Sequence, residues 1–60
     1  MKIRYQLNNY TVGAKLKSAP LDCLVSQDRI SKSMTVVVFD LNDRQRQFCD
    51  KLFAKRGQEI

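Results

Sequence analysis

Sixty residues with eleven lysines and arginines against six acids carry a net charge of +5 and include no histidine. That length allows one small domain, residues 1–60, whose single core supplies roughly 3–5 kcal/mol of net stability. An apolar content of 43% belongs to a folded chain, two cysteines are too few for a disulfide scaffold, and no apolar run approaches the ~20 residues of a membrane-crossing helix.

Residues 1–17 read as a basic β-hairpin. Ile3, Tyr5 and Leu7 alternate with Lys2, Arg4 and Gln6, and Tyr10, Val12, Ala14 and Leu16 alternate with Thr11, Gly13, Lys15 and Lys17. This is the period of two expected of half-buried strands. Asn8-Asn9 supplies a two-residue turn, because asparagine tolerates the left-handed backbone that such a turn needs. In that register Leu7 faces Tyr10, Tyr5 faces Val12 and Ile3 faces Ala14, which leaves both tyrosines on the apolar side. Gly13 suggests a bulge.

Ser18-Ala19-Pro20 ends the hairpin, since proline has no N–H to give a ladder. Two further strands are expected over residues 21–39. The first, "LDCLVS", places Leu21, Cys23 and Val25 on one side. The second, "MTVVVFDL", has a β-branched run from Thr35 to Val38 with apolar residues on both faces, which belongs in the middle of a sheet. The polar "QDRISKS" between them is a loop, with Ile30 dipping toward the core.

A helix is expected over residues 42–56. Asp40 or Asn42 caps it, and "NDRQ" has the spacing of a capping box. Phe48, Cys49, Leu52 and Phe53 fall within an arc of about 140° at helical spacing. Acids stand at its start and Lys55 and Arg56 at its end, as the helix dipole favours, and Gly57 provides a stop. The fold class is therefore α+β: a small antiparallel sheet of three to four strands in ββββα order, with one C-terminal helix packed on it. The expected core is Ile3, Tyr5, Leu7, Val12, Leu16, Val36, Val38, Phe48, Leu52 and Phe53.

The residue types argue against catalysis. Without histidine, the commonest general base and the usual partner of a nucleophile are missing. Neither glycine belongs to a phosphate-cradling loop, so no nucleotide cofactor and no small-molecule substrate is expected. Asp40 and Asp43 suit helix capping better than a carboxylate pair, and they lack the further oxygen ligands that calcium requires. No metal site is expected, because two cysteines without histidine cannot complete a zinc centre. Cys23 and Cys49 read as small apolar residues rather than a bridge, and Cys49 lies among the apolar residues of its helix.

Charge is the remaining signal. Residues 1–21 contribute +4, from Lys2, Arg4, Lys15 and Lys17, without an acid, so most of the excess lies on the hairpin, on its polar face. There they form one electropositive patch, with Gln6 and Thr11 beside it for polar contacts and with Arg44, Arg46 and Lys51 on the outer helix face. Two functions fit. The favoured one is a non-enzymatic protein-interaction or inhibitor module, acting through a sheet edge, the hairpin face or the helix face, or self-associating. The alternative is a nucleic-acid-binding protein whose hairpin cations contact phosphates, which base stacking would not assist because both tyrosines face the core. The N-terminal alternation lacks the apolar segment of a signal peptide, so the cytoplasm is the expected compartment and no membrane partner is expected. Short basic frames of this kind are common among phage and mobile-element accessory proteins.

Overall fold

The first strand forms as its alternation predicts. β1 spans Lys2–Asn8, with Ile3, Tyr5 and Leu7 buried and the residues between them exposed. The computed structural model, which describes residues Met1–Ile60, then departs from the hairpin. The Asn8 side chain accepts the Tyr10 N–H at 2.8 Å and the Asn8 carbonyl accepts that of Thr11 at 3.1 Å. This turn leads into a short helix, α1, Val12–Leu16. Val12 and Leu16 are separated by four residues, so one helical face carries both into the core as readily as a strand would. Tyr10 is left on the turn, 89% exposed rather than buried.

After a single 3-10 turn at Leu21–Cys23, β2 runs over Leu24–Arg29 and β3 over Met34–Asp40. Gln27, Asp28 and Arg29, expected in a loop, are thus strand residues, and Ile30 stays 59% exposed at the β2–β3 turn. α2 covers Asp43–Phe53 and a two-residue strand, β4, covers Gln58–Glu59. The four strands form one antiparallel sheet in the order β2-β3-β1-β4. The fold is α+β with the helix on the sheet, and the fourth strand follows α2 instead of completing a hairpin with β1. β1 has β3 along its whole length on one side and β4 against Ile3 and Arg4 on the other, and residues 10–17 pair with neither edge.

β3 is central, as a strand apolar on both faces should be, but the core takes the other half of it. Thr35, Val37 and Phe39 are buried, whereas Val36 and Val38 are only half-buried on the opposite face. Pairing accounts for this choice: Ile3 lies opposite Phe39, Tyr5 opposite Val37 and Leu7 opposite Thr35, and directly opposed residues share a face. Tyr5, Phe39 and Phe53 then make an aromatic cluster with ring centroids 4.7–6.4 Å apart.

α2 starts where its cap predicts. The Asn42 side chain accepts the Gln45 N–H at 2.8 Å, and Gln45 Oε1 accepts the Asn42 N–H at 3.0 Å. Asp40 does not cap it; this last residue of β3 accepts from the Met1 amino group at 3.1 Å. The helix presents Cys49 and Phe53 to the core, with Leu52 half-buried, while Phe48 is 51% exposed. Placing residues at about 100° intervals, Arg46 and Asp50 flank the Cys49–Phe53 stripe on the side away from Phe48. Both are drawn inward by the segment that follows the helix, and that rotation carries Phe48 out.

The helix ends at Ala54, three residues before the expected stop. Ala54 takes the left-handed conformation at φ 55°, and the chain doubles back so that the Ile60 N–H reaches the Lys2 carbonyl at 2.9 Å. Gly57 serves a different purpose from the one its position suggests. Its backbone lies against the β1 side chains, and a Cβ there would overlap Ile3 Cγ2 and stand 2.6 Å from Tyr5 Cζ. Opposite effects of glycine are therefore expected at two neighbouring sites. Ala54→Gly should raise stability by up to about 1 kcal/mol by relieving the left-handed alanine. Gly57→Ala should cost about 1–3 kcal/mol through overpacking, both read from urea denaturation midpoints.

Candidate binding surfaces

Both helices lie on one side of the sheet, so its other face carries no covering element. Strand alternation places Met34, Val36 and Val38 along the middle of that face, all half-buried. β1 contributes Lys2, Arg4 and Gln6 beside them, with Arg4 opposite Val38 and Gln6 opposite Val36. On the far side stand Ser26 and Asp28 of β2. The result is an apolar stripe with a cationic margin along β1.

That margin continues around the sheet edge. β4 is so short that it pairs only with Ile3 and Arg4, and beyond it a cleft of about 210 Å³ opens between β1 and the chain returning from α2. Arg4, Lys55 and Arg56 line it with Gln6 and Gln58, and no acid does. Arg4 donates to Gln58 Oε1 at 2.7 Å, and Lys55 Nζ donates to the Gln6 carbonyl. Lys55 thereby occupies a backbone acceptor on the part of β1 that β4 leaves uncovered, a common protection of strand edges.

One carboxylate holds this region together. Asp50 Oδ1 accepts the Tyr5 hydroxyl at 2.6 Å and the Gly57 N–H at 2.9 Å, joining α2, β1 and the returning segment. Arg46 completes the junction, donating to the Gly57 carbonyl at 2.8 Å and lying 4.0 Å from Glu59. Burial pushes the Asp50 carboxyl up, but the Tyr5 hydroxyl, the Gly57 amide and the Arg46 and Arg56 charges together hold it below the usual carboxylate range. Burial and the adjoining Asp50 push the Tyr5 hydroxyl well above its ordinary value. Burial likewise raises the Cys49 thiol, with Asp50 and Cys23 adding to it, so this sulfur is not activated as a thiolate nucleophile. Cys23 is half-buried, and its Sγ accepts from the Gln45 amide at 3.6 Å; neither cysteine is in a disulfide.

The cations expected to share one hairpin face are separated. Lys2 and Arg4 lie together on the open face of β1, but Lys15 and Lys17 sit at the end of α1, on the helix-bearing side of the sheet. Lys15 is half-buried and donates to the Phe53 carbonyl at 3.4 Å, supporting the C-terminus of α2. Lys17 is exposed. Gln6 keeps its place beside Arg4, whereas Thr11 belongs to the turn and donates to the Asn8 carbonyl at 3.3 Å. On α2, Arg44 and Lys51 are exposed, but Arg46 faces the Gly57 junction instead of solvent. Lys55 and Arg56 join Arg4 although their positions suggest only the basic end of a helix. Their one sequence signal is Gly57, whose requirement for close approach becomes evident only with Ile3 and Tyr5 beneath it.

Compared with protein-family models, curated proteins and solved structures, the chain matches none.

The Asp50 junction makes stability depend on acid pH in a defined direction. A carboxyl whose folded value is lowered contributes fully above its unfolded value, near pH 4, and loses that contribution as pH falls through the folded value. Asp50→Asn should therefore cost about 1.5–3 kcal/mol at neutral pH, the range for hydrogen bonds to a charged group. It should also flatten the loss of stability between neutral and strongly acid pH relative to the parent, as measured by urea unfolding at a series of pH values.

Proposed function

We propose that the protein is a non-enzymatic binding module that docks a protein partner on the open face of its sheet. The partner brings an apolar surface bordered by acidic groups. The observation that carries this reading is the half-buried stripe of Met34, Val36 and Val38, covered by no helix, with Lys2, Arg4 and, around the edge, Lys55 and Arg56 along one side. A small domain with a single limited core rarely leaves apolar strand residues on an uncovered face unless another surface meets them. The stripe supplies contact area that salt does not weaken, and the cationic margin supplies steering and orientation.

Other modes suggested by the sequence have less support. β2, the edge strand, carries an irregularity between Leu24 and Ser26 in its pairing with β3, which bends the strand and suits strand addition poorly, and Lys55 covers part of the opposite edge. Phosphate contact through residues 1–17 loses its geometric basis once Lys15 and Lys17 lie away from Lys2 and Arg4.

Affinity capture from cell lysate with and without nuclease treatment, with the parent chain beside Val38→Glu and Arg4→Glu/Arg56→Glu variants, tests the reading. The parent should retain a protein at moderate salt, and Val38→Glu should weaken that binding at least about tenfold. The charge-reversal pair should slow association chiefly at low salt. Undiminished capture by Val38→Glu, or loss of all captured protein on nuclease treatment, would count against the open face as the docking surface.

A further inference from the structure

A second concave surface lies on the helix-bearing side of the sheet, where the β1–α1 turn approaches the β2–β3 turn. It is a cleft of about 550 Å³, the size range of small-ligand sites. Tyr10, Gln27, Arg29 and Lys32 line it, and no acid does. Asp28, the nearest acid in sequence, lies opposite Val36 and so points to the other face.

Asn9 fixes the two walls relative to each other. Its N–H donates to the Ser33 carbonyl at 2.9 Å, its side-chain amide donates to the Ser31 carbonyl at 2.9 Å, and its Oδ1 accepts the Thr35 hydroxyl. The turn bearing Tyr10 and the turn bearing Lys32 are thus tied through one side chain. Arg29 donates from Nε to the Ser31 carbonyl at 3.2 Å, which orients the guanidinium and leaves its terminal nitrogens available. Lys32 forms no ion pair within the chain. Tyr10, 89% exposed beside these cations, offers its ring face to solvent.

We infer that this cleft binds a nucleotide unit of single-stranded nucleic acid. The base stacks on Tyr10, the phosphate is met by Arg29 and Lys32, and the Gln27 amide reaches the base edge. An aromatic face with adjacent cations is the recurring chemistry of single-strand recognition, tolerant of base identity and weakened by salt. An open cleft also lets a strand enter and leave, which a closed mononucleotide pocket would not.

Fluorescence anisotropy with end-labelled oligo-dT and oligo-U of about eight nucleotides, at low and moderate salt, tests this in the full-length chain. Binding should weaken at least tenfold in Tyr10→Ala and in Arg29→Ala/Lys32→Ala. It should persist in Tyr10→Phe, which keeps the ring, and in Lys17→Ala/Lys51→Ala, which removes exposed cations elsewhere. Val38→Glu should leave it unchanged, so this site and the open sheet face stand or fall separately. Circular dichroism confirms that each variant is folded. In a parallel ¹⁵N-HSQC titration, thymidine monophosphate should shift Tyr10, Arg29 and Lys32 at higher concentration than the oligomer. No binding at low salt would overturn the assignment. So would equal losses in the Tyr10→Ala and Lys17→Ala/Lys51→Ala variants, or monophosphate binding as tight as that of the strand.

Discussion

The contact on which this small structure turns is the Asp50 carboxylate accepting both the Tyr5 hydroxyl and the Gly57 amide. β1, α2 and the segment that follows α2 meet at one oxygen, and each is placed by the others. The helix rotates so that Arg46 and Asp50 face the returning chain, which sets Cys49 and Phe53 against the sheet and leaves Phe48 outside. The return is close enough to β1 for strand pairing only because Gly57 has no side chain to collide with Ile3 and Tyr5. Charge-assisted hydrogen bonds are stronger than neutral ones, and here burial around Tyr5 keeps solvent from competing freely.

The same junction determines where the positive charge lies. Lys55 and Arg56 stand on the segment between Ala54 and Gly57, so the turn that brings Gly57 to Asp50 also brings them to Arg4. A cleft of three cations without an acid is a consequence of how the helix ends. Like charges brought together without a counter-ion oppose folding, and the Asp50 junction is the compensating attraction nearby. Stability and the cationic surface are in this way supplied by adjoining residues of one segment.

With its helices on a single side, the sheet offers two different surfaces. One face is flat, apolar along β3 and basic along β1, suited to a broad contact. The other side holds a concave cleft between two turns, with an aromatic ring and two cations in its lining. The physical demands differ: a broad contact draws on area removed from water, whereas a cleft draws on a few groups held in place beforehand. Asn9 meets the second demand by hydrogen bonding to the β2–β3 turn at Ser31 and to β3 at Thr35.

Much of the fold was legible in the sequence wherever one local pattern admitted one structure. The alternation of Ile3, Tyr5 and Leu7, the β-branched run entering Val36–Val38, and the Asn42–Gln45 capping box each specify backbone conformation through neighbours a few residues apart. Residues 12–16 show where such reasoning stops. Val12, Ala14 and Leu16 satisfy a strand's period of two, while Val12 and Leu16 also satisfy a helix's spacing of four. Which period prevails is decided by contacts outside the segment: the Asn8 turn carries residues 12–16 onto the sheet face, where Leu16 joins the core and Val12 packs against it. The choice of Val37 and Phe39 over Val36 and Val38 for the core is of the same kind, since a run apolar on both faces leaves its orientation to the strand beside it. Of the candidate site, Lys2, Arg4 and Gln6 could be placed on one face from their alternation in β1. Their companions Lys55 and Arg56 could not, nor could the exposure of Tyr10 beside Arg29 and Lys32. The sequence by itself determined the class, the charge and the elements whose signals are local; the tertiary structure alone decided which strands pair, which face is covered and which cations meet, because those depend on contacts between residues far apart in the chain.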